Sequence, residues 1–313
     1  MINPEIRFTG ILLRKLIRFS GKKSFYRIGK LKSFTERFVK IKNMQCSEQT
    51  IQTPDNKNLK LFICKPLNPK PNATGLLWIH GGGYAMGSPL QDNEYIQNFI
   101  DAANCIVVSP DYRLSINEPY PAAVNDCYNA LLWMKEQASV LGIRENQLFV
   151  GGNSAGGGLT AAVTLMAREK KDVRIAFQMP FYPMIDDRTD LKPELENDGP
   201  VWNSKANKAA WSLYLDSLYG TEGIPVFAAP ARETNFSGLP PAYSFIGDID
   251  LFCEETKHYF KNLKAAGIKA ELDVYPGCFH AFDYFCSKTK IGKIAIHKYL
   301  EKFKYAAENY FSD

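Results

Sequence analysis

The chain has 313 residues, 45% of them hydrophobic, and a net charge of +5. That size suits one large α/β domain with an insertion or cap better than two independent folds, and no run approaches the roughly 18 apolar residues of a membrane-spanning helix. The charge is uneven: residues 1–43 hold twelve Lys+Arg against two Asp+Glu, so the remainder carries a net −5.

The segment Ile6–Phe19 has helical spacing, with Arg7, Arg14, Lys15 and Arg18 largely on one face and Ile6, Leu13 and Ile17 opposite. It fits a secretory signal poorly, since charge interrupts the apolar run and no small-residue cleavage site follows. The favoured reading is a helix that covers part of the same protein; contact with a membrane surface is the alternative. No nucleic-acid partner is expected, because a basic segment without a reading fold is weak evidence for one.

From about residue 48 the pattern turns to strands. Thr50–Thr53 and Leu59–Ile63 alternate around Pro54-Asp55-Asn56, a hairpin signature. Gly75–Ile79 and Cys105–Val108 are continuous apolar runs, as expected of strands covered on both faces. A helix is expected from about 122 to 140, a strand at 147–151, and an Ala-rich helix beginning near Leu159. Val173–Phe177 reads as the next strand and 185–221 as irregular. Ala242–Ile246 resumes the strand pattern, a helix runs to about Ala266, Glu271–Tyr275 is the last strand, and 290–310 closes as an amphipathic helix. Alternating strands and helices imply a mostly parallel, doubly wound sheet.

Seven cysteines (Cys46, Cys64, Cys105, Cys127, Cys253, Cys278 and Cys286) show no paired or metal-like spacing. Free thiols in a reducing cytoplasm are the expectation. No Cys/His cluster suggests zinc. Neither a P-loop nor a dinucleotide fingerprint is present, so no metal or cofactor is expected.

Between the 147–151 strand and its helix lies Gly152-Asn153-Ser154-Ala155-Gly156, a G-x-S-x-G pattern in the strand–turn–helix context of a nucleophile elbow. Side chains two residues either side of the Ser would clash in so sharp a turn, and the helix N-terminus presents free N–H groups to developing charge. In a doubly wound sheet, functional residues gather at the carboxyl ends of strands. His80-Gly81-Gly82-Gly83 follows one strand, and its glycines let backbone N–H groups approach a ligand oxygen. Pro276-Gly277-Cys278-Phe279-His280 follows the last strand, which puts His280 at the same sheet edge as Ser154. His258 and His297 fall inside helices. Between Ser154 and His280, Asp248 and Asp250 follow another strand, and spacing alone barely separates them as partners of the His. Tyr84, Phe181, Tyr182, Trp202, Trp211 and Tyr214 could line a pocket or simply pack.

These segments, His80–Tyr84, Asp111-Tyr112-Arg113-Leu114, Gly152–Gly156 and Tyr275–His280, with Pro119–Ala123, Ala229–Arg232 and Leu239–Tyr243, resemble the hormone-sensitive-lipase-like family of α/β-hydrolase carboxylesterases, its bacterial branch in particular. The similarity runs from about residue 55 to 285. It implies an α/β-hydrolase fold with a cap built from about 1–45 and an insertion at about 185–220, the core occupying 46–313. It implies Ser154 as nucleophile, His280 as base and, through Gly247–Glu255, Asp250 as the acid. It also implies oxyanion donors at the N–H groups of Gly82, Gly83 and Ala155, and a small ester with a short to medium acyl chain as substrate. A lipase-like or amide hydrolase with the same residues, or a non-catalytic small-molecule binder on the same fold, are the alternatives. The chain departs from the family pattern at Asn153, usually Asp, at Ser115-Ile116-Asn117, which lacks a Pro and a carboxylate, and at Leu251 and Cys253, usually Pro and Arg.

Overall fold

The computed structural model of the protein describes residues 1–36, 41–191 and 196–312. Residues 37–40 of the expected amino-terminal cap segment and 192–195 of the expected insertion lie outside the described residues. Eight strands form one sheet: β1 (Met44–Gln52), β2 (Asn58–Pro66), β3 (Ala73–Ile79), β4 (Ile106–Asp111), β5 (Ile143–Asn153), β6 (Phe177–Phe181), β7 (Ala242–Gly247) and β8 (Ala270–Tyr275). Their spatial order is β1-β2-β4-β3-β5-β6-β7-β8, antiparallel across the first two pairings and parallel thereafter. This is the mostly parallel sheet expected from the alternating pattern.

All seven residues of β3 are buried, as are all five of β6 and all six of β7. Strands buried along their whole length are what a sheet with helices on both faces requires. Those helices include α3 (Asn93–Ala103), α4 (Ala122–Glu136), the single turn α5 (Ala138–Leu141), α6 (Ala155–Lys170), α8 (Cys253–Ala265) and α10 (Lys290–Asn309). The first thirteen residues of α6 are buried, so the helix that follows Ser154 runs through the core rather than over it. Two helices precede the sheet, α1 (Arg7–Leu16) and α2 (Lys22–Glu36). Within the stretch expected to be irregular, Asn203 caps α7 (Ser204–Leu215), its Oδ1 accepting the Ala206 N–H at 3.0 Å. The single turn α9 (Phe282–Phe285) follows the His280 loop.

Two expectations are corrected. The strand expected at Val173–Phe177 lies at Phe177–Phe181 instead. Pro180 concealed it: a proline has no N–H to donate and is normally confined to sheet edges, yet here it sits opposite Gly152 in a central strand and its carbonyl accepts the Ser244 hydroxyl. The second correction concerns the thiols. Cys46 and Cys64 face each other in the β1–β2 register and are disulfide-bonded, while the other five cysteines are free and buried. Pairing is set by strand register, which spacing along the chain did not reveal, so the cytoplasmic expectation no longer follows from the cysteines. Among the described residues no helix is long and apolar enough to cross a membrane.

Candidate active site

β5 ends at Asn153 and α6 begins at Ala155, so the whole reversal falls on Ser154. Its backbone is forced to φ 56° and ψ −119°, a region costing an L-residue on the order of 1–3 kcal/mol. The surroundings hold it there. The Ser154 N–H donates to Phe181 O at 3.0 Å, and its carbonyl accepts from Met184 N and Gly158 N, each at 3.0 Å. A Cβ at Gly156 would lie 2.0 Å from Ile79 O, and one at Gly152 would lie 2.4 Å from the same atom. Both obstacles are backbone of β3, which cannot yield. Gly156→Ala is therefore expected to lower unfolding stability by about 3 kcal/mol or more, read from urea midpoints; an unchanged midpoint would contradict this packing.

Three expected side chains meet here. His280 Nδ1 lies 2.8 Å from Asp250 Oδ2, and His280 Nε2 lies 2.8 Å from Ser154 Oγ. A carboxylate only accepts, so Nδ1 carries the hydrogen and Nε2 is left to accept from the Ser154 hydroxyl. The other Asp250 oxygen accepts the Phe252 N–H at 3.0 Å. All three residues are buried. Asp248 does something different: its exposed carboxylate accepts the Gly277 N–H at 2.6 Å and so shapes the loop leading to His280. That loop also binds the amino terminus, with Asn3 N–H donating to Gly277 O at 2.8 Å. Tyr182, Phe252 and Trp202 surround the imidazole, their ring centroids 5.1, 5.2 and 6.2 Å away.

The glycine loop stands against Ser154. His80 Nδ1 and Gln91 Nε2 both donate to Gly81 O, at 2.9 and 3.0 Å. Because the Gly81 carbonyl and the Gly82 N–H lie in one trans peptide plane, pinning the first aims the second the opposite way. The His80 ring stacks on Tyr112 at 4.2 Å between centroids, and Tyr112 Oη donates to His80 O at 2.9 Å. His80 thus orders the loop. Gly82 and Gly83 adopt φ of 127° and 60°, and Trp202 lies so close that a Cβ at Gly83 would be 2.3 Å from its ring. Among the described residues, no hydrogen bond uses the N–H of Gly82, Gly83 or Ala155.

Asn153 is explained by a residue the sequence did not point to. Its Nδ2 donates to Asp92 Oδ2 at 2.8 Å, and Trp78 Nε1 donates to the same oxygen at 2.8 Å. An aspartate at 153 would set two buried carboxylates against each other. The cavity over Ser154 has a volume of about 340 Å³; Ile17, Phe19, Ile28 and Leu31 form one wall, Trp202 and Tyr182 others. Of the aromatic candidates only Tyr182 and Trp202 reach it. Tyr84 instead stacks on Tyr214 at 3.9 Å, and Trp211 and Phe181 are core. Among the described residues no cluster of His, Cys, Asp or Glu could hold a metal ion.

Behind Tyr182 lies a buried polar chain. Its hydroxyl pairs with that of Tyr95 at 2.7 Å, and Tyr95 Oη also bonds the Asp283 carboxylate. Burial pushes the Asp283 carboxyl up from 3.8 to about 6, partly opposed by the Tyr95 hydroxyl. The native state therefore holds this proton more tightly than the unfolded chain. Its contribution to stability is complete below about pH 4 and is lost as pH rises through about 6. Asp283→Asn keeps an acceptor for Tyr95 and removes the titration. Relative to that variant, wild type should lose about 3 kcal/mol of unfolding free energy between pH 4 and 7. Urea unfolding of both proteins across that range measures it; a constant difference would refute it.

Comparison with known proteins agrees with the fold. A family described as the alpha/beta hydrolase fold matches residues 76–284. The carboxylesterase NlhH of Mycobacterium tuberculosis is 29% identical over 248 residues, covering 78% of this chain and 77% of its own. An arylesterase of Saccharolobus solfataricus is 33% identical over 237 residues, covering 73% and 74%. Among solved structures, a bacterial heroin esterase superposes with a TM-score of 0.88 at 28% identity, covering 98% of both chains.

Proposed function

Because the chain belongs to the alpha/beta hydrolase family and is a carboxylic-ester hydrolase, we propose that it cleaves small esters of short to medium acyl chain through Ser154, His280 and Asp250. The observation that carries this reading is the unbroken relay of two 2.8 Å contacts from Asp250 through His280 to Ser154. His280 Nε2 takes the Ser154 proton as Oγ attacks the ester carbonyl. Asp250 accepts Nδ1–H throughout and stabilises the imidazolium. The N–H groups of Gly82, Gly83 and Ala155 receive the negative oxygen, each such donor typically contributing ~3–4 kcal/mol in the transition state. The imidazolium then protonates the departing alcohol. Water, deprotonated by the same nitrogen, releases the acid from the acyl-enzyme.

Residues 1–45 and about 185–220 act as the cap in this reading. Support comes from the walls of the cavity: α1–α2 and their connection supply Ile17, Phe19, Ile28 and Leu31, and the later segment supplies Val201 and Trp202. A cavity of about 340 Å³ is at the small end of ligand sites, which favours short acyl groups.

A series of p-nitrophenyl esters tests the reading. From acetate to butyrate, kcat/KM should rise up to about 15-fold, since each buried methylene contributes ~0.8 kcal/mol, and it should fall once the chain outgrows the cavity. A fluorophosphonate should label one residue per chain, Ser154, found by mass spectrometry of peptides. Labelling elsewhere, or faster turnover of the matching anilides than of the esters, would overturn the assignment.

A further inference from the structure

Helix α1 is apolar on two opposite faces, and only one is used. Ile6, Gly10, Leu13 and Ile17 turn inward. Ile6 is fully buried, and Gly10 lets the helix lie flat, a Cβ there being 3.0 Å from the ring of Phe279 beside His280. On the other side Phe8, Ile11, Leu12 and Leu16, spaced i, i+3, i+4 and i+8, form a second stripe. Phe8 is 81% exposed and Leu16 70%. Helix α2 continues the pattern, with Leu31 and Phe34 exposed one turn apart at 66% and 55%, and Tyr26 exposed nearby. Single exposed apolar residues are ordinary; seven large ones within 27 residues, on two short helices, are not.

The charge around them is predominantly basic. Arg7, Lys15, Arg18, Lys22, Lys23, Arg27 and Lys30 are all exposed on the same two helices and their connection, and acidic residues are absent from the first turn of either helix. The rest of the chain is net negative, so the basic charge is concentrated where the exposed apolar side chains are. Apolar side chains between long cationic ones are the composition of a helix that lies in the plane of a bilayer, rings and methyls in the acyl boundary and ammonium or guanidinium groups at the phosphates. A protein partner of acidic character would match the charge, but it would not call for solvent-exposed aromatic and leucine side chains along both helices.

We propose that α1 and α2 dock the protein on an anionic lipid surface, with the mouth of the Ser154 cavity at the docked side. Leu31 links the two: it belongs to the exposed apolar set and also lines the cavity. Docking itself does not depend on the ester-hydrolase reading; only its consequence for substrate access does, because esters dissolved in the bilayer would then enter without crossing bulk water.

The test is co-sedimentation of the full chain with vesicles of phosphatidylcholine alone or mixed with phosphatidylglycerol. Wild type should pellet with the mixed vesicles and be released by high salt. Phe8→Ser/Leu12→Ser/Leu16→Ser should weaken partition by about 100-fold or more. Arg7→Gln/Arg18→Gln/Lys22→Gln should weaken it by about 10- to 100-fold and abolish the preference for the anionic lipid. None of these six residues lines the cavity, so unchanged p-nitrophenyl acetate turnover in lipid-free buffer shows that each variant is folded. Failure of wild type to pellet, or equal pelleting of wild type and the serine variant, overturns the proposal. So does self-association that the serine variant abolishes while vesicles capture neither protein, which would assign the face to a second copy. Vesicle binding without ester turnover would leave docking standing and sink the hydrolase reading.

Discussion

Ser154→Ala should lower kcat for p-nitrophenyl butyrate by about 100,000-fold while leaving KM within a few fold. The change deletes one oxygen, the atom 2.8 Å from His280 Nε2, and nothing else that positions substrate. Residual turnover above the uncatalysed rate would come from the glycine-loop and Ala155 N–H groups acting on a water-borne reaction. The fold should be indifferent to it. Ser154 is held at φ 56° by its own N–H and C=O, which alanine retains, and both residues suffer the same backbone strain there. Equal melting temperatures with a collapsed kcat would isolate chemistry from structure. A variant retaining a tenth of wild-type activity would remove Ser154 from the mechanism.

Asp250→Asn is expected to reduce kcat by about 1,000- to 10,000-fold, whereas Asp248→Asn should cost less than about fivefold. The asymmetry follows from what each carboxylate accepts. Asp250 takes the Phe252 N–H on one oxygen and the His280 Nδ1–H on the other. Asparagine has a single oxygen. If that oxygen serves Phe252, its NH₂ faces His280, and the imidazole must turn to the tautomer whose Nε2 already bears hydrogen. Such a ring cannot accept the Ser154 proton. Asp248 only anchors the Gly277 N–H from an exposed position, a contact the amide oxygen can reproduce. The pair is measured best as kcat against pH. If the large loss fell on Asp248→Asn instead, the acid would be misassigned.

The elements around the site were legible for specific reasons. The elbow and the His80 loop are dense in glycine, and glycine at a strand end has few uses other than close backbone approach. Strands β3 and β4 announced themselves as apolar runs because both of their faces are covered. Asp248 and Asp250, two residues apart after one strand, could not be separated by spacing; the resemblance pointed to Asp250, and hydrogen-bond geometry gives each a distinct partner. What stayed hidden depends on contacts between distant segments. Gln91 and Asp92 lie in a short 3₁₀ turn (Pro89–Asp92) without motif character, yet one pins Gly81 and the other explains Asn153. Their nearest warning was Asn153 itself, a departure that needed a partner. Tyr95, Tyr182 and Asp283 come from three elements and form one polar chain only in the folded core. The cysteine pair was missed for the same reason, since register rather than spacing brings Cys46 opposite Cys64.

The hydrogen bond from Asn3 to Gly277 spans a sequence separation of more than 270 residues, and it sets an order of events during biosynthesis. At roughly 5–20 residues per second, the amino-terminal segment waits on the order of 15–50 s for the strand end that receives it. Throughout that interval α1 lacks Phe279, the ring its Gly10 side lies against, so both of its apolar faces are uncovered at once. His280 and the tether of the first helix are therefore completed by the same late stretch of polypeptide.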